Sequence, residues 1–414
     1  MQFQNPRGTK DYYPEDKFTF AWISDKFRET AKKYGFKEIE SPAFENLKIL
    51  TEKEGDEIKK QIFVLEKRGD EEFGLRFDLT VPAARMFIAK QKEIAKPVKW
   101  FYVSRMWRYE APQKGRLREF YQLSAEIFGS SMPEADAEMI RLAVDCLCAL
   151  GLTEKDFFVK INNRNLLQGL IESLGIGNVM ETISIIDKAE KIKWAEFTAE
   201  LEKIGLTQDQ IRKIDNIIKT EDLGKLDIGN KNETAKKGLA ELKDVLAMLS
   251  DKKDFIKVDL SCARGLSYYT GTVFEIFDTE KKYRALAGGG RYDDMIRQFG
   301  GEDCAAVGFG MGFATLGLLL DEKMLLPTYN EYPDYYIATA GDVKQKPGFI
   351  SLVKKLRKTA SVEIDLMGRS LKKQMEYANK IKAKNVIVIG EDELRQRKAK
   401  VKEMETGKER DIVL

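Results

Sequence analysis

After Pro14 the apolar positions repeat at helical spacing. Phe20, Ile23, Phe27, Ala31 and Tyr34 share one face, and Gly35 is placed to stop the helix. An extended piece, Phe36 to Glu40, then meets Pro42. Residues 62–79 predict a hairpin: Ile62, Val64 and Leu65 enter the polar turn Arg68-Gly69-Asp70-Glu71, and Phe73, Leu75 and Phe77 alternate on the return. A second strand pair is expected over 99–110 and 119–128, joined by a basic loop from Ala111 to Arg118. A helix follows from about Glu134 to Leu150, with Met139, Ala143, Cys146 and Leu150 on one face.

The texture changes after Asn162. Residues from about 165 to 250 read as helical, rich in Lys and Glu and poor in aromatics. Strand character returns at Lys257–Val258 and over Tyr268 to Phe277, so the helical stretch reads as an insertion into a β-rich domain. Cys304 to Leu320 is a run of seventeen residues without charge, four of them glycine. A membrane span needs about 20 apolar residues, so a buried strand leading into a buried helix is expected instead. A boundary is expected between Pro327 and Pro333, giving a domain over 1–326 and another over 333–414. The second alternates strand and helix: Tyr335–Ala338, Phe349–Thr359, Val362–Leu366, a Lys-rich helix 370–383 and Val386–Ile389.

Composition changes this picture in two places. Among 414 residues there is no histidine. That excludes Ser-His-Asp and Cys-His catalysis, histidine–metal sites and an imidazole general base. Proton and charge work falls to carboxylates, Arg, Lys and Tyr. The net charge of +3 also hides an asymmetry, because 333–414 carries 19 basic against 12 acidic residues, a net of +7, and the remainder a net of −4. The cysteines (Cys146, Cys148, Cys262 and Cys304) form no C-x-x-C pair and read as small hydrophobes in a reduced compartment. No signal-peptide pattern opens the chain, so a cytoplasmic protein is expected.

Three clusters set charged groups inside apolar, strand-like sequence. They are Leu75-Arg76-Phe77-Asp78-Leu79-Thr80; Trp107-Arg108-Tyr109-Glu110 with its loop and the run from Phe120 to Glu126; and Ala263-Arg264 through Tyr268-Tyr269, followed by Ala287-Gly288-Gly289-Gly290-Arg291-Tyr292-Asp293. Burying such groups is costly unless they meet each other or a ligand. By the period of two, Phe120, Gln122 and Glu126 share a strand face able to hold a zwitterion and a flat ring. Internal ion pairs are the competing use. No Walker A loop and no spaced Gly-x-Gly-x-x-Gly follows a strand, which points away from a P-loop.

These clusters resemble class II aminoacyl-tRNA synthetases, the histidyl-tRNA synthetase family in particular, over almost the whole chain. Pro6 to Asp11 is similar to the family's opening. Gly35-Phe36 through Pro42 resembles motif 1, and Arg108-Tyr109-Glu110 with the loop to Arg116 and Phe120–Glu126 resembles motif 2. Arg264 through Tyr269 and Gly288 through Asp293 are similar to two stretches particular to the histidyl enzymes. The resemblance implies an α+β fold: a class II antiparallel sheet flanked by helices, a helical insertion and a C-terminal α/β anticodon-binding domain. It implies a homodimer built through motif 1 and, as partners, histidine, ATP with Mg2+, and tRNA(His). It assigns Arg108 and Arg264 to catalysis at the α-phosphate. Asp78, Thr80 and Gln122 would grip the α-ammonium group, and Glu126 with Tyr268 and Tyr269 the imidazole. Glu110 and Phe120 join Arg108 and Arg264 at ATP, Phe120 by stacking on adenine. Gln113 and Arg116 would meet the acceptor end of the tRNA, and no protein-bound metal is implied.

Two positions depart from the family pattern. Glu-Arg is expected after Gly-Phe-x-x-Gly, but Gly308 to Gly312 is followed by Phe313-Ala314-Thr315. Thr315 thus replaces an arginine implied to stack on adenine and reach the γ-phosphate. Ser267 stands where aspartate is usual. A chain that kept the fold and lost activity would serve as a histidine or tRNA sensor, and a purely structural RNA-binding protein would take tRNA alone.

Overall fold

The computed structural model describes residues 4–51, 59–113, 115–220, 222–226, 232–264 and 268–414. They form two compact units, Met1–Pro327 and Thr328–Leu414.

The first unit is organised on an eight-stranded sheet. Its strands are β1 (Lys37–Glu38), β4 (Val98–Trp107), β5 (Glu119–Phe128), β6 (Phe157–Asn163), β7 (Ile256–Val258), β8 (Thr272–Asp278), β9 (Ala287–Arg291) and β10 (Ala306–Gly312), in the order β1-β4-β5-β10-β9-β8-β6-β7. A small sheet pairs β2 (Phe44–Asn46) with β3 (Phe73–Leu75). The large sheet is antiparallel through its centre and parallel at both ends, where β1 joins β4 and β7 joins β6. Those parallel pairs follow from long excursions, since a chain that leaves an edge and returns along the same direction needs a crossover.

The alternation of each strand assigns its two faces. On one, Phe101, Leu123, Ile127, Val307, Phe309 and Met311 pack with two amphipathic helices. The first, Pro14–Lys33, has Pro at its start, Glu15 and Asp16 in its first turn and Lys32 and Lys33 in its last, all suited to the helix dipole. It buries Phe20, Ile23, Phe27 and Ala31, and the Pro133–Cys148 helix buries Met139, Ile140, Ala143 and Leu147 beside them. On the other face Tyr102, Met106 and Phe128 meet Leu79, Ala83 and Phe87 of a helix spanning Thr80–Lys90 and its lead-in. The uncharged run from Cys304 forms β10 and then the Phe313–Glu322 helix, both largely buried.

Two expectations are adjusted. In 62–79 only Val64 bridges Gly74, flanked by Leu65 N–H to Phe73 O and Leu75 N–H to Phe63 O; the strand that pairs with β3 comes from β2. β8 begins at Thr272 and not at Tyr268, because the ladder to β9 starts with Val273 opposite Gly290. Tyr268 and Tyr269 lie in the approach to it. Between β6 and β7 the insertion forms helices with an apolar core of their own, including Ile171, Ile183, Phe197, Leu201, Ile211 and Ile214. Asn163 caps the first, accepting from the backbone N–H groups of Asn165 and Leu166.

The second unit holds a five-stranded sheet in the order β12-β11-β13-β14-β15, with β11 at Tyr335–Thr339, β12 at Val362–Ile364, β13 at Asn385–Ile389, β14 at Lys398–Glu403 and β15 at Glu409–Val413. β11, β12 and β13 run parallel, linked through the Pro347–Leu356 and Leu371–Lys380 helices. Among the described residues no helix is long and apolar enough to cross a membrane.

Candidate active site

On the face of the large sheet away from the Pro14–Lys33 helix lies a cavity of about 610 Å³. Its floor is β5 and β10. Phe120, Gln122, Ser124 and Glu126 project from alternate positions of β5, and opposite them β10 reads Gly308-Phe309-Gly310-Met311-Gly312. The period of two puts the large residues of β10 in the core and its glycines under the cavity. A methyl group at Gly308 would overlap the Glu126 carboxylate, one at Gly310 the Gln122 amide, and one at Gly288 of β9 the Arg264 guanidinium. The glycines are therefore the space into which three polar side chains fold.

Glu126 is fully buried. Thr80 Oγ1 donates to its Oε1 at 2.9 Å, and the Tyr292 hydroxyl donates to Oε2. Burial pushes its acid equilibrium up to about 8; the two hydroxyl donors oppose that rise, and the nearby Asp78 charge adds to it. Asp78 caps the start of the Thr80–Lys90 helix, accepting from Val81 N–H at 3.2 Å. Its carboxyl is also raised by burial, against the pull of that bond and of Arg108. Gln122 donates to Ser124 Oγ at 2.7 Å.

Arginines line the cavity at several levels. Arg108 donates from Nε to Phe77 O at 2.9 Å, with its guanidinium 5.3 Å from the Phe120 ring centroid. Arg264 reaches Glu275 at 2.6 Å and lies 5.7 Å from the Tyr269 ring centroid. It adopts a positive φ of 54°, uncommon for a residue with a Cβ. Its Nε is buried without a hydrogen-bond partner among the described residues. Arg116 pairs with Glu110 across the loop. Arg284 also borders the cavity. Of the residues expected at a site, Arg108, Glu110, Arg116, Phe120, Asp78, Thr80, Gln122, Arg264, Tyr268 and Tyr269 all line it, and Glu126 closes its floor. Gln113 is exposed on the loop, bridged to Arg116, and does not line it. Lys114 and Gly265 to Ser267 lie outside the described residues.

Residues 8–316 match the histidyl-tRNA synthetase family, and 335–414 match an anticodon binding domain. The chain belongs to the histidyl-tRNA synthetase family. The chain is 38% identical to the histidine–tRNA ligase of Haloarcula marismortui, over 100% of this chain and 96% of that one. With the histidine–tRNA ligase of Pyrococcus furiosus the identity is 37%, covering 98% and 95%. The histidyl-tRNA synthetase structure from Nostoc sp. PCC 7120 superposes with a TM-score of 0.82 at 28% identity, over 100% of this chain and 97% of that chain.

Within this histidyl-tRNA synthetase-type cavity the structure adds residues that the sequence reading did not single out. Tyr292 is the phenol bound to Glu126, whereas Tyr269 lies against Arg264. Tyr292 stands within the Gly288–Asp293 stretch, but nothing local marks its reach to a carboxylate 166 positions earlier. Glu275, on β8, was one polar residue in an apolar strand, a pattern that could have marked it as the partner of Arg264. Thr315 is buried at the wall, and the loop tip at Gly115 lies beside it.

Proposed function

We propose that this chain is a histidine–tRNA ligase whose site residues act as the motifs imply. The carboxylate of histidine attacks the α-phosphorus of ATP, the bond to the β-phosphate oxygen breaks, and pyrophosphate leaves. A terminal ribose hydroxyl of tRNA(His) then attacks the adenylate carbonyl, forming the ester and releasing AMP. What carries this reading is that one cavity combines a buried carboxyl–phenol–amide floor with arginines at its wall.

Glu126 and Tyr292 face the imidazole. Around neutral pH the Glu126 carboxyl and the imidazole share one proton, and either holder can form the bond between them. Asp78, Thr80 and Gln122 take the α-ammonium group, with Tyr268 and Tyr269 walling the ring. Arg108 and Arg264 hold the α-phosphate and stabilise the charge that develops as it is attacked, a role suited to the Nε of Arg264, which has no hydrogen-bond partner among the described residues. Phe120, with Glu110 beyond it, receives adenine, and Arg108 must slide from its ring for that to happen. Gln113 and Arg116 meet the acceptor end, and 333–414, with its net charge of +7, meets the anticodon.

Magnesium enters with the substrate. Among the described residues no three acidic or thiol side chains gather as a metal-binding group; we expect the ion to be held chiefly by triphosphate oxygens and water. We infer a cytoplasmic homodimer with a catalytic domain over 1–326 and an anticodon-binding domain over 333–414. Histidine-dependent exchange of pyrophosphate into ATP tests the chemistry. Exchange is expected with histidine and with no other amino acid; its absence from a folded chain that is stabilised by histidine would leave a sensor in place of a ligase.

A further inference from the structure

The cavity arginines differ in what they already hold. Arg108 donates to a backbone carbonyl, Arg116 pairs with Glu110, and Arg264 pairs with Glu275. Arg284 is exposed on the same wall and makes no hydrogen bond or ion pair among the described residues.

Its position is fixed from both sides. Just before it, Lys282 and Tyr283 reach Glu322 near the end of the Phe313–Glu322 helix, at 2.7 and 2.5 Å. Just after it, Leu286 O accepts from the N–H of Gly312, the residue that opens that helix, at 3.0 Å. Arg284 is thereby strung along the helix that presents Ala314 and Thr315 to the cavity. That helix contributes two neutral side chains where a triphosphate needs positive charge, and the neighbouring segment contributes an uncommitted guanidinium.

We propose that Arg284 binds the β- and γ-phosphates of ATP and supplies the charge that Thr315 cannot. This rests on the ligase reading and deepens it. Arg108 and Arg264 hold the α-phosphate, whereas Arg284 holds the departing pyrophosphate end and stabilises it as the bond breaks. A phosphate of the tRNA acceptor end has the same chemistry, so the test omits tRNA.

The test compares the full chain with Arg284→Ala, Thr315→Arg and the double variant. ATP and AMP, each with Mg2+, are titrated against melting temperature, and the KM for ATP is read from histidine-dependent pyrophosphate exchange. Arg284→Ala is expected to weaken ATP about tenfold or more, the scale of one charged hydrogen bond, and to leave AMP within about twofold. Adding Thr315→Arg should recover most of the loss, and Arg284→Lys should retain part of the affinity. Equal weakening of ATP and AMP, or no change in either, overturns the role of Arg284 while exchange by the parent chain keeps the ligase reading. If the parent chain neither exchanges pyrophosphate nor is stabilised by ATP, the ligase reading fails and takes the inference with it.

Discussion

Arg264, in the segment between β7 and β8, and Arg291, on β9, each meet a carboxylate, yet the two sites are built to different ends. Around Arg291 every nitrogen is engaged. Nε and Nη2 bond Asp136, Nη1 bonds Ser130 O and Asp293, and Nη2 also reaches Met132 O. Both Arg291 and Asp136 are buried, so the pair ties β9 to the Pro133–Cys148 helix and leaves nothing for a ligand. Arg264 bonds Glu275 and the Tyr269 side chain, and it has an Nε without a hydrogen-bond partner among the described residues, a positive φ and a cavity before it. A buried arginine that is fully bonded fixes the fold. One left under-bonded stays available to an anion, because an unsatisfied buried donor costs energy that a ligand or a water can return.

The largest expected effect is on stability. Arg291→Ala strands a buried carboxylate and should lower the unfolding free energy by about 3–5 kcal/mol, read from urea melts. If it instead left stability unchanged and abolished exchange, the division between the two arginines would collapse. Arg264→Ala should do the reverse, cutting pyrophosphate exchange about 100-fold while costing under about 2 kcal/mol in the same melts, since Glu275 borders the cavity and can be reached by water there.

Glu126 sharpens the contrast by titration. Its folded equilibrium lies at about 8 against an ordinary 4.5. Between those values the folded chain holds a proton that the unfolded chain has released. Its contribution is therefore complete below the ordinary value and is lost as pH rises through the folded one, with a slope of up to about 1.4 kcal/mol per pH unit. Glu126→Gln should flatten the pH dependence of the melting temperature over that window and weaken histidine binding. A slope identical in both chains would show that Glu126 is not the group that titrates. The smallest effect is expected at Arg297, whose partners Asp294 and Asp303 are exposed. Arg297→Ala should change stability by less than about 0.5 kcal/mol, and a larger loss would mean that burial is not what separates these pairs.

The sheet was legible wherever alternation ran long. β4 and β5 are ten residues each, and their periodicity survives in the faces they present. β2 was illegible because three residues beside Pro42 carry no period, and the Thr80–Lys90 helix because Pro82 and a short apolar run hide its repeat. The histidine count was equally plain and equally informative: a chain with none can be translated without histidyl-tRNA.

Sequence alone determined the residue types, the strand faces and the glycines that keep pace with Gln122 and Glu126, because these are local and periodic. Tertiary structure decided the pairings. Tyr292 meets Glu126, Glu275 meets Arg264, and Arg284 comes to rest along the helix of Thr315. Each such pairing joins groups from separate segments of the chain, and it depends on how the loops beside β8 and β9 are laid over the sheet; a one-residue slip of β5 or β8 would turn Glu126 or Glu275 to the opposite face.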